Sequence, residues 1–115
     1  MTATVNNPFT APVLLFSNQD MTATVASPVV NKGRDSKVGA QFVWTGTPTG
    51  TFSVWVSQFG PAGPFTQLTL TSVTNPAGSA GSWYLDLTTF ATWYYVQYTA
   101  SSGDGTLNVA VGDAR

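Results

Sequence analysis

Residues 49–57 read TGTFSVWVS, and their alternation decides the fold. A β-strand sends successive side chains to opposite faces. Phe52, Val54 and Val56 then share one face, and Ser53, Trp55 and Ser57 share the other. The run before it, AQFVW at 40–44, repeats the pattern with Ala40, Phe42 and Trp44 together. Between the two, TGTPTGT at 45–51 supplies the Gly and Pro of a short hairpin connection.

The same period runs onward. Thr66 to Thr71 places Leu68 and Leu70 inward. Trp83, Leu85 and Leu87 alternate with Tyr84 and Asp86, and Leu107, Val109 and Val111 close the series. In WYYVQY at 93–98, Tyr94, Val96 and Tyr98 share a face, which leaves Trp93, Tyr95 and Gln97 opposite. GPAGP (60–64), NPAGSAG (75–81) and SSGDG (101–105) punctuate the runs. Helix signals are weak, because Glu is absent and Gly or Pro interrupts most windows. The expected class is all-β: an antiparallel β-sandwich, jelly-roll or Ig-like, of about seven or eight strands. Six strands follow residue 38 and one or two precede it. Phe52, Val54, Leu68, Leu70, Leu85, Val96, Leu107 and Val109 are the expected core.

Residues 1–37 differ in kind. Pro8, Pro12 and Pro28 interrupt them, and Pro has no amide hydrogen to give a ladder. They read as an N-terminal arm or edge segment of a single domain whose sandwich is 38–115, with residues 1–30 expected to contact another subunit or a neighbouring protein shell. MTATV occurs at 1–5 and again at 21–25, but the copies diverge at once (Asn6-Asn7-Pro8 against Ala26-Ser27-Pro28). The repeat reads as shared Thr-rich strand composition, since a duplication needs longer similarity.

Only 8% of residues are charged, against about 25% in ordinary globular chains. Four cations do not make a basic patch, so no nucleic-acid partner is expected. No apolar run approaches the ~20 residues that span a bilayer, and residues 1–16 lack the cations of a secretory leader, so no membrane partner is expected either. Four of the nine charges gather at Lys32, Arg34, Asp35 and Lys37. That loop reads as a solvated turn, or else as a contact for an acidic partner through Lys32, Arg34 and Lys37.

The chain has no His and no Cys, so imidazole bases, thiolate nucleophiles and disulfides are all excluded. The five acids are all Asp and scattered, without calcium-loop spacing, and they read as turn formers. Ser36 and Lys37 are adjacent and would point to opposite faces of a strand. No catalytic residue, metal or cofactor is expected.

The aromatics carry the information. Trp55, Trp93 and Tyr95 sit on polar strand faces beside Gln97. They are either interface anchors or a second buried layer beneath a folded-over N-terminal segment. Flat rings also suit stacking on a sugar.

FVWTGTPTGTFSVWVS (42–57), SWYLDL (82–87) and WYYVQYTASSGDGTLNVAV (93–111) together resemble a family of small β-sandwich proteins from tailed bacteriophage virions. The likeness covers about residues 38–111. The chain departs from it at Gln58-Phe59-Gly60, where the family often has an Asn-Asp-Gly-like turn. It departs again at Phe65, near a common Trp, and at Gln97, where Arg is common. The resemblance implies a non-enzymatic virion component assembled in the host cytoplasm. That component is a capsid decoration (cement) protein, or a part of the tail, baseplate or fibre. Its implied partners are its own copies, as a homo-oligomer with a trimer favoured, and a major capsid or other virion protein.

Overall fold

TGTFSVWVS is one continuous strand with Phe52 and Val54 buried and Ser53 and Trp55 turned away from the core. A computed structural model describes residues 4–6, 13–32, 38–70, 72–86 and 92–113. Among them run ten strands: β1 (Val5–Asn6), β2 (Val13–Asp20), β3 (Val25–Ala26), β4 (Val30–Asn31), β5 (Val38–Gly46), β6 (Thr49–Ser57), β7 (Thr66–Leu68), β8 (Gly81–Asp86), β9 (Trp93–Ser102) and β10 (Gly105–Asp113). One sheet has the order β2-β10-β5-β8. The other has the order β1-β4-β9-β6-β7, with β3 also on β9. The sheets pack as a sandwich, and every pairing is antiparallel except β1 with β4.

The connection at 45–51 is not a hairpin. β5 and β6 lie in different sheets, so the chain turns a corner between layers at Gly46, whose φ is 84°. β9 and β10 turn a matching corner at Gly103, φ 75°. The two corners touch: the Thr47 amide donates to the Asp104 carbonyl at 2.7 Å. A Cβ on Gly103 would lie 2.0 Å from the Thr47 carbonyl oxygen, so only glycine permits the approach. Gly-rich spacing predicts a turn here but not which sheet the next strand joins.

Aromatic rings fill the space between the sheets. Phe52 of β6 lies 4.8 Å from Phe42, 5.5 Å from Trp44, 5.7 Å from Trp83 and 5.5 Å from Tyr98, centroid to centroid. The two core indoles also bond to the loop between β7 and β8. Trp44 Nε1 donates to the Ser79 carbonyl and Trp83 Nε1 to the Ser72 carbonyl.

The N-terminal expectation needs correction. β2 pairs with β10, and β3 and β4 pair with β9. Leu15, Phe16, Met21 and Val30 are core residues, so residues 13–31 belong to the sandwich itself and not to a separate arm: β2 lies at the edge of its sheet, and β4 lies between β1 and β9. The second MTATV is structural, with Met21 fully buried and Val25 on β3. β2 is irregular. Its pairing shifts register between Leu107 and Val109 and again before Ala110, and Asn18 takes a φ of 51°. Asn108 holds this kink, its Oδ1 accepting from the Asn18 amide at 2.9 Å.

Of the expected core, Phe52, Val54, Leu85, Val96, Leu107 and Val109 are buried. Leu68 and Leu70 are only half-buried. β7 ends at Leu68, so Leu70 lies beyond the ladder that would have pressed it inward. Leu87 lies outside the described residues.

Tyr94 is fully buried, and its hydroxyl has no hydrogen-bond partner among the described residues. Burial pushes its phenol well above the ordinary value of 10.0. The folded state therefore keeps a proton that the unfolded chain releases, so stability declines as pH rises above about 10. Tyr94→Phe is expected to raise stability by about 1 kcal/mol at pH 7, since an unpartnered hydroxyl leaves the core. It should also make the alkaline decline shallower. Urea unfolding at pH 7 and above pH 10 checks both, and a loss of stability at pH 7 would show that the hydroxyl is satisfied.

Candidate interface on the outer face of the six-stranded sheet

β6 and β9 pair with Trp55 opposite Tyr95, Ser53 opposite Gln97 and Ser57 opposite Trp93. On the far side of β6, Trp55 faces Gln67 of β7. On the far side of β9, Gln97 faces Ala26 and Trp93 faces Asn31. Period-2 geometry thus brings Trp55, Trp93, Tyr95 and Gln97 onto one outer face, as the sequence predicts. All four are half-buried.

The rings are organised. Trp55 and Tyr95 lie parallel, 4° between planes and 6.1 Å between centroids. Phe65, from the β6–β7 loop, meets Tyr95 edge-on at 5.0 Å. Such pairs add about 0.5–1.5 kcal/mol beyond area burial and hold the rings in place. Trp55 Nε1 donates to Ser53 Oγ at 3.1 Å, which satisfies the indole and leaves its carbon surface to a partner. Burial raises the Tyr95 phenol above its ordinary pKa, and Trp55, Trp93 and Gln97 do not ionise, so these four side chains are neutral at pH 7. In the sequence Phe65 stands out only as a departure from the pattern that the chain resembles. Its packing on Tyr95 depends on the loop path, which alternation does not encode.

Of the basic loop, only Lys32 is among the described residues. Lys32 is only 4% exposed, and its amide donates to the Thr92 carbonyl at 2.8 Å beside β9. It sits at the end of β4, where strand pairing draws its stem against the sheet. Arg34 and Lys37 lie outside the described residues.

The opposite sheet also shows apolar side chains to solvent: Leu14, Val43 and Tyr84 are each more than two-fifths exposed. Ala110 faces both Leu14 and Gln41, and Gln41 faces Tyr84, so these residues form a row across four strands. Among the described residues, no group of three His, Cys, Asp or Glu is placed to hold a metal ion. Asp104 acts at the corner through its backbone carbonyl. No protein-family model matches the chain, and no curated protein is similar to it.

Proposed function

We propose that the chain is a non-enzymatic structural module of a tailed-phage virion, a capsid decoration protein that stabilises the shell through protein–protein contacts. The observation that carries the assembly part is the ordered, half-exposed set of Trp55, Tyr95, Phe65 and Trp93 on a neutral outer face. Rigid aromatic anchors on a charge-poor surface are the composition of interface centres. The virion part is supported by the sequence resemblance over residues 42–57, 82–87 and 93–111. A site in the tail, baseplate or fibre would use the same face on a different partner.

Sedimentation with purified shells of the encoding phage tests this reading. The protein is expected to pellet with shells equally at low and high salt, because screening acts on charges and few are available. The Trp55→Ala, Tyr95→Ala double variant should bind at least about tenfold more weakly, from the loss of two anchors. A folded protein that never pellets with shells, tails or fibres overturns the proposal. One observation favours a second reading as a carbohydrate-binding module: Trp55 and Tyr95 are parallel, with Ser53, Gln67 and Gln97 around them. A change in Trp fluorescence on adding free hexoses, absent from the double variant, would support that reading instead.

A further inference from the structure

Phe59 stands 83% exposed in the loop between β6 and β7. The backbone beneath it is nonetheless fixed. Ser57 Oγ accepts from the Phe59 amide at 3.1 Å, and Gln58 Oε1 accepts from the Thr92 amide at 3.2 Å. The Gly63 amide closes the turn on the Gly60 carbonyl at 3.1 Å. An apolar ring is thus held out to solvent on a loop with little left to order on docking.

Elsewhere on the same sheet a cleft of about 440 Å³ opens, lined by Phe52, Leu68, Leu70 and Val73 with neutral polar neighbours. It exists because β7 stops pairing at Leu68, opposite Val54, and leaves the Phe52 stretch of β6 uncovered. Asn75 Oδ1 accepts from the Phe52 amide there, so that donor is satisfied; the Phe52 ring itself is buried, while Leu68, Leu70 and Val73 are partly exposed. An apolar cavity of about 150 Å³ already holds benzene, so this cleft has ample room for a phenyl ring.

We propose that Phe59 of one copy seats in the Phe52–Leu70 cleft of a second copy. Phe59 does not fill its own cleft, as its exposure shows. Ser53 at the cleft and Ser57 at the loop are separated by four residues of strand, about 13 Å. Knob and cleft are different surfaces of one chain, so the contact is heterologous: it forms a ring where the rotation it sets closes and a filament where it does not. A threefold ring matches the trimer expected at quasi-threefold positions of a shell. Among the described residues, neither the cleft lining nor the loop at 58–65 carries a charged side chain, so those groups bring no charge to be desolvated on docking. Both border the aromatic face: Ser53 accepts from Trp55, and the loop that bears Phe59 also places Phe65 on Tyr95.

The contact rests on the reading of the chain as an assembly module, and native mass measured without any shell separates the two. The wild type is expected to form a closed oligomer, trimeric at saturation. Phe59→Ser removes the knob and should weaken association about 10- to 100-fold while keeping the wild-type unfolding temperature. Thr69→Trp fills the cleft from an exposed position and should act alike; Leu68→Gln serves if the bulkier residue disturbs β7. An equimolar mixture of the knobless and cleft-filled variants should give a two-chain species, since one knob and one cleft remain. A monomeric wild type, an unchanged mass for Phe59→Ser, or a mixture that stays monomeric each overturns the contact. A monomeric wild type that still pellets with shells would do so while leaving the decoration role standing. A Phe59-dependent oligomer that binds no virion part would support the contact and overturn that role.

Discussion

A chain that begins at Met21 is expected to be unfolded at 25 °C. It would lack β2, the edge strand that covers β10 over Val13–Asp20, and with it the buried side chains of Leu15 and Phe16. Each such side chain is worth about 2–5 kcal/mol when deleted from a packed core. The whole domain has only about 5–15 kcal/mol to lose. Met21 would suffer further. It is fully buried, and its amide donates to the Gly105 carbonyl at 3.1 Å, so a charged terminal amine would be drawn against the core. Circular dichroism and amide NMR dispersion of the 21–115 chain check this. A dispersed spectrum, with cooperative unfolding within a few degrees of the full chain, would show that β2 is dispensable.

Phe52→Ala is expected to cost about 3–4 kcal/mol. Phe52 is the ring that links the layers, touching Phe42, Trp44 and Trp83 across the gap and Tyr98 in its own sheet. Its loss removes four ring contacts at once and extends the Leu68–Leu70 cleft into the core, so water gains entry rather than the walls closing. The melting temperature should drop by roughly 10–20 °C. Thermal unfolding followed by near-ultraviolet circular dichroism reports both the stability and the loss of the aromatic cluster. A drop below about 3 °C would mean that the two sheets are held together by something other than this ring.

Alternation made the long strands legible. β5, β6, β9 and β10 each bury every second residue over most of their length, and the same rule separates Tyr94 and Val96 from Trp93, Tyr95 and Gln97. What alternation cannot encode is where a ladder stops and which sheet a strand joins. Leu70 follows Leu68 in perfect period, yet β7 has already ended, and the pair lines a cleft instead of the core. β2 carries a plain apolar run, but its partner lies some 90 residues along the chain, so nothing local distinguishes it from an arm. Lys32 reads as one of a run of charges, and only the pairing of β4 with β9 shows that its stem is packed away. Phe59 and its cleft are each ordinary in sequence, because a knob and a hole are properties of shape.

The kink at Asn18 bears on how an edge strand resists foreign pairing. An outermost strand with open amides and carbonyls is a template on which foreign strands can grow, and proteins commonly guard it with lysines. Here only 8% of residues are charged, and β2 carries no cation. The left-handed turn at Asn18 and the two slips against β10 do that work by shape. They break the straight, evenly spaced row that cross-β stacking requires. This edge of the four-stranded sheet is thus interrupted by a single asparagine and by the side chain of Asn108 that holds it.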